Sequence, residues 1–290
     1  MENIMPMESV VAATAGMKQR MEARFSDWWD ALMKGVNTEG DGFGLFGPSS
    51  YVLRVGEAKI LIDPCFRFPS LGEKIAERLP ADLAAFDAVV LTHSHGDHLC
   101  KHFWKCAEGA PVKNLYVPAF FEDELLRKNN IDPNRVSRIE PGSKIPVKNA
   151  TVLAFLSNHK RETQTVGLPE LGYSFRAAGK TYLMPCDVRT YTPGFFGKLV
   201  GSAPDAMFSH IWFSAKHGLA APWEPKLTEF CNFINAFRPK RVVLAHLYET
   251  GRTPDEMWSY LHAGAVADRL LAISPETDVT VPQLGQWYPL

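Results

Sequence analysis

Seven consecutive residues, Thr92-His93-Ser94-His95-Gly96-Asp97-His98, constrain this chain more than any other stretch. They put four potential metal ligands in six positions, directly after the apolar run Ala88-Val89-Val90-Leu91. A run of that kind, rich in β-branched residues, reads as a buried strand. The ligands therefore stand where a rigid strand ends and a loop begins. His93 and His95 project to the same side, because side chains along a strand repeat every second residue. Gly96 lets the backbone turn sharply, so that Asp97 and His98 face a second, neighbouring point. That arrangement suits two cations side by side better than one. Leu91 and Leu99 flank the tract, which sets it apart from a histidine-rich surface loop.

The rest of the chain is compatible with a large core, with 290 residues of which 46% are hydrophobic. Lys+Arg 31 against Asp+Glu 32 leaves a net charge of -1, so no global field favours nucleic acid or an anionic membrane. No apolar stretch is long enough to span a bilayer. The amino terminus lacks a basic segment followed by an apolar one, so no secretory signal is expected. Five cysteines without a closely spaced pair fit free thiols in a reducing cytoplasm.

Residues 1–16 are small and polar with no clear period, and read as a mobile lead-in. Apolar residues then fall at Met17, Met21, Phe25, Trp28 and Leu32, the spacing of an amphipathic helix over 17–33 whose simplest role is packing on the domain. We read residues 1–40 as a helical amino-terminal extension and 41–290 as one catalytic domain. Residues 51–55 and 59–62 read as a hairpin turning at Gly56-Glu57, and Asp63-Pro64 stops its second strand. Further strands are expected at 115–117, 135–139, 151–156, 171–176, 181–184, 206–211 and 241–245. Helices are expected at 71–79, just after the histidine tract, and at 119–128. Nothing repeats at a short period.

Three of these strands deliver further donors: 151–156 runs into His159, 181–184 into Cys186-Asp187, and 241–245 into His246. The order His, Asp, His after His-x-His-x-Asp-His resembles the ligand signature of the metallo-β-lactamase superfamily, from about residue 43 to the last helix. That resemblance implies an α/β fold, an αββα sandwich of two mixed sheets packed face to face with helices outside. It implies that His93, His95 and His159 hold one metal ion, that Asp97, His98 and His246 hold another, and that Asp187 bridges them. Asp63 matches an aspartate that supports the histidine loop without binding metal; an ordinary turn aspartate before proline is the alternative. Asp97 is the candidate catalytic residue, orienting the nucleophile and moving its proton. Cys186 departs from the family, many of whose members have glycine before the bridging aspartate.

Imidazole and carboxylate donors suit two divalent ions, zinc first, with manganese or iron open. The expected function is hydrolysis, by a metal-bridging hydroxide, of a phosphodiester, lactone, ester or amide bond in a small-molecule substrate. An iron-dependent oxygenase or dioxygenase on the same scaffold is the competing expectation. The stretch from Gly42 to Asp63-Pro64 resembles the branch containing ascorbate-phosphate lactonases and N-acyl phosphatidylethanolamine phospholipase D. Lys216 and His217, following an apolar strand, are the candidates for substrate contact. His102, His210 and His262 fall outside the signature and read as structural or exposed. No nucleic-acid partner and no stable membrane insertion are expected, and a homo-oligomer remains open.

Overall fold

The computed structural model describes residues 7–66, 68–159, 168–212, 224–249 and 257–290, with side chains from residue 15 onward. Lys216 and His217 lie outside the described residues.

Strands β1 (Gly42–Leu45), β2 (Tyr51–Val55), β3 (Ala58–Ile62), β4 (Ala88–Val90), β5 (Leu115–Pro118) and β6 (Val136–Ile139) lie side by side in sequence order. β1, β2 and β3 pair antiparallel, and β3 through β6 pair parallel. The second sheet repeats this plan. β7 (Lys144–Val147), β8 (Ala150–Leu156), β9 (Leu171–Ala177) and β10 (Lys180–Cys186) are antiparallel. β11 (Ala206–His210), β12 (Arg241–Ala245) and β13 (Asp278–Thr280) then continue from β10 in parallel. A short last strand, β14 (Tyr288–Pro289), returns to the first sheet and pairs with β1, so each sheet has seven strands.

The central parallel strands β4 and β11 are buried throughout, as strands covered on both faces must be, whereas β7 near an edge alternates buried and exposed. The sheets face each other through aromatic side chains. Phe43 and Tyr51 of the first sheet meet the Phe208 ring of the second edge-on, at 5.0 and 5.5 Å. Two hydrogen bonds tie the sheets where β4 ends: Leu171 N–H donates to Thr92 O at 3.1 Å, and the Tyr173 hydroxyl donates to Leu91 O.

Helices cover the outside. α1 (Met7–Thr38) buries Met21, Phe25, Trp29, Leu32 and Val36 in the same core as the strands. Trp29 meets Phe46 edge-on, and its indole N–H donates to Asp82 Oδ2 at 2.7 Å. Residues 7–16, expected as a lead-in, belong to this helix. Ala12, Ala13 and Ala15 are strong helix formers and favour extension of α1 where amphipathic spacing is absent. The carboxy-terminal tail crosses α1 at Gly35, where a Cβ would stand 2.4 Å from the Trp287 ring. The single helix expected over 71–79 is instead two short ones, α2 (Pro69–Glu73) and α3 (Leu79–Ala84). Pro80 fits the first turn of α3 and could not continue α2 without losing a backbone donor. α4 (Lys101–Cys106) and α5 (Asp123–Lys128) flank β5 in sequence, and α6 (Lys226–Ala236) packs with α7 (Tyr260–Ile273). Among the described residues, no helix is long and apolar enough to cross a membrane.

Candidate metal centre

The carboxyl ends of β3, β4, β8, β10, β11 and β12 bring Asp63, His93 to His98, His159, Asp187, His210 and His246 to one place. The backbone bends to do so. Asp63, Cys186 and His246 all adopt left-handed conformations, with φ of 42°, 69° and 66°. Each costs about 1–2 kcal/mol for a residue with a Cβ, so presenting these donors carries a strain cost. At Cys186, the position where a glycine was the family expectation, the strain falls on a buried side chain.

Among the described residues four overlapping groups of donors form, and two of them contain the seven ligands expected from the sequence. Ligand atoms of His93, His95 and His159 lie within 4.8 Å of one another, and so do those of Asp97, His98, Asp187 and His246. His93 Nε2 faces His95 Nδ1 at 3.0 Å. Asp187 Oδ2 stands between the groups, 3.9 Å from His93 Nε2 and 3.3 Å from both His98 Nε2 and His246 Nε2. Asp97 Oδ2 lies 3.2 Å from His246 Nε2 and 3.7 Å from His98 Nε2. His95 is half-buried while the other six are buried, so the centre opens on the His95 side.

Buried polar groups behind the donors set their orientation. Asp63 accepts from the Thr92 N–H at 2.8 Å, the Thr92 hydroxyl at 2.6 Å and His98 Nδ1 at 2.7 Å. A carboxylate can only accept here, so His98 carries its proton on Nδ1 and turns Nε2 toward Asp187. His159 Nδ1 donates to the Asp187 carbonyl at 2.8 Å, which leaves its Nε2 directed inward.

Glu170 makes the comparable contact for the first group. Its Oε1 lies 3.1 Å from His93 Nδ1 and 3.5 Å from His159 Nδ1, and accepts the Asp187 N–H at 3.1 Å. The sequence carries only a faint signal for it, an acid between a polar loop and a buried strand. His210, outside the signature, donates from Nδ1 to Asp187 Oδ1 at 2.6 Å, and its Nε2 contacts the Tyr51 hydroxyl at 2.7 Å. Its signal was the one that marked His246, a histidine at the end of a buried strand. His262 caps α7 through Ser259, and His102 is exposed on α4.

The electrostatics fit bound cations. Burial pushes the imidazoles of the first group down, with His95 held to about 4 and His159 to about 3, so both offer neutral lone pairs at neutral pH. For His95 the next cause is the Arg189 charge. Burial also opposes charge on His98 and His246. Asp187 and the neighbouring acids overcome it and raise both above the usual imidazole range. Burial raises Asp97 and Asp187, and the nearby imidazoles outweigh that and bring both carboxyls below the ordinary range. Glu170 is raised by burial and then by Asp187. The second group therefore attracts positive charge, and the first offers uncharged imidazoles. Among the described residues, His98 Nε2 and His159 Nε2 are buried without a hydrogen-bond partner, a costly state that a coordinated cation relieves. The residues present fit divalent metal ions.

A family model described as a beta-lactamase superfamily domain matches residues 58–247, more than half of the chain. The chain belongs to the metallo-β-lactamase superfamily. No curated protein matches it by sequence. Among solved structures, the diiron β-hydroxylase CmlA from Streptomyces venezuelae superposes with a TM-score of 0.60 at 14% identity, covering 87% of this chain and 54% of CmlA. This chain thus spans about half the length of that relative. An isothiocyanate hydrolase from Delia radicum gut bacteria gives a TM-score of 0.60 at 17% identity, covering 86% of this chain and 99% of the other. A metallo-hydrolase from the archaeon Ignicoccus hospitalis gives 0.57 at 16% identity, with 86% and 97% covered. Identities this low establish the fold alone.

Proposed function

We propose that the chain is a hydrolase holding two divalent cations, zinc first and manganese or iron next. It would cleave a phosphodiester, lactone, ester or amide bond of a small molecule. The observation that carries this reading is the convergence of two donor groups on one carboxylate, Asp187. His93, His95 and His159 would hold one cation, Asp97, His98 and His246 the other, and Asp187 would reach both. Such a pair supplies Lewis acidity toward the bond under attack and acidifies water to near neutrality. The Gly42 to Asp63-Pro64 layout, similar to that of the lactonase and phospholipase D branch, keeps phosphodiester and lactone bonds foremost.

The chain's own residues do the rest. Asp97, ionised and buried beside His246, accepts a proton from the attacking water and returns it to the leaving group. Asp63 and Glu170 hold the imidazoles of His98 and His93 in one tautomer and one orientation. The half-buried His95 marks the side from which substrate approaches. Net charge -1 favours no nucleic-acid partner, and the free cysteines suit a cytoplasmic setting. A second copy of the chain is compatible with this reading and not required by it.

Dialysis against a strong chelator is expected to abolish turnover of chromogenic phosphodiester, lactone and ester substrates. Zinc, manganese or iron should restore it. Turnover indifferent to the chelator would sink the hydrolase reading. Oxygen consumption by an iron-loaded sample, without hydrolysis, would assign an oxygenase instead.

A further inference from the structure

The two oxygens of Asp187, the carboxylate on which both donor groups converge, have different surroundings. Oδ2 faces the imidazoles, 3.9 Å from His93 Nε2 and 3.3 Å from both His98 Nε2 and His246 Nε2. Oδ1 instead accepts from His210 Nδ1 at 2.6 Å. The strand register explains this contact. β11 lies parallel to β10 with Ser209 beside Cys186, so His210 comes level with Asp187. A buried hydrogen bond to a charged oxygen resists rotation of the carboxylate, which would exchange the two oxygens.

His210 is itself held at its other nitrogen and along its ring. A carboxylate only accepts, so the proton on Nδ1 goes to Asp187, and Nε2 of the uncharged imidazole is an acceptor. The Tyr51 hydroxyl supplies the donor at 2.7 Å, from the first sheet to the second. The His210 ring also runs nearly parallel to those of Tyr51 and His246, at 6° and 19°, with centroids 5.8 and 5.4 Å away. Both Tyr51 and His210 are buried. With one nitrogen on Asp187 and the other on Tyr51, His210 has none left to serve as a ligand. Its route to the centre is through Asp187.

We propose that His210, fixed by Tyr51, is a positioning residue that locks the Asp187 carboxylate with Oδ2 turned to the imidazole donors. This rests on the reading that Asp187 reaches both cations, so its loss should be felt at both sites together.

The test titrates the zinc-loaded full chain with a chromogenic chelator that competes for its cations. His210→Leu should hold both cations roughly tenfold or more weakly, the scale for a lost partner of a metal ligand. Asparagine places its amide nitrogen where the histidine Nδ1 stands, and glutamine places its own where Nε2 stands. His210→Asn should therefore regain most of the loss, and His210→Gln should not. Tyr51→Phe, which keeps the ring and removes the hydroxyl, should fall between wild type and His210→Leu. Should His210→Leu fail to fold, the contrast between His210→Asn and His210→Gln carries the test. Wild-type affinity in a folded His210→Leu would overturn the proposal. So would equal affinity in His210→Asn and His210→Gln, which would reduce His210 to packing. A single cation in the wild type, held more weakly by His210→Gln than by His210→Asn, would count against the two-cation reading and leave the role of His210 standing.

Discussion

Asp97→Asn should keep both cations and lose turnover by about a hundredfold or more, the scale of lost general acid–base help. Asparagine retains an oxygen that can reach a cation but has neither the charge nor the basicity of the carboxylate. Asp97 is buried at 4% exposure, with Oδ2 3.2 Å from His246 Nε2, so the amide replaces it without creating space. Its backbone position is also independent of the charge, because the Ser49 hydroxyl donates to the Asp97 carbonyl at 2.8 Å. The loss should fall on kcat and on kcat/KM alike, since the interaction is made as the proton moves. Metal content has to be measured on the same sample, because lost cations would imitate lost catalysis. Full turnover with both cations in place would take the proton away from Asp97.

Glu170→Gln should weaken one cation and spare the other. Glu170 touches His93 and His159 of the first donor group and the amide of Asp187, which stands between the groups, whereas Asp63 serves His98 in the second. Partners that orient ligating histidines are generally worth ten- to a hundredfold in metal affinity. Glu170→Gln is therefore expected to lower the affinity of the His93-His95-His159 site by roughly tenfold or more. Asp63→Asn should do the same to the Asp97-His98-His246 site. A two-step titration against a chromogenic chelator separates the sites. Equal weakening of both steps in both variants would show that these acids stabilise the protein generally and do not orient particular imidazoles.

The contrast between Glu170 and the seven donors shows what kind of information lies in the sequence. Each donor stands just past an apolar run, and a run ending in a histidine or aspartate is visible without coordinates. The hairpin of β2 and β3 was legible for a similar reason, through its strand pattern and its Gly56 turn. Glu170 has no such marker. It reaches His93 only because Leu171 pairs with Thr92 across the two sheets, a contact that no spacing along the chain encodes. His210 had the right marker, and its contact with the far oxygen of Asp187 depends on β11 lying beside β10. β13 and β14, at three and two residues, are too short for periodicity to register. The start of α1 has no apolar stripe to mark it, and its alanines are only a weak signal.

In the proposed centre, seven side chains hold two cations. The most direct test is the number of divalent ions per chain after equilibration with zinc and removal of the excess, measured by elemental analysis. Two per chain is the predicted result. One ion or none, in protein that remains folded, would contradict it.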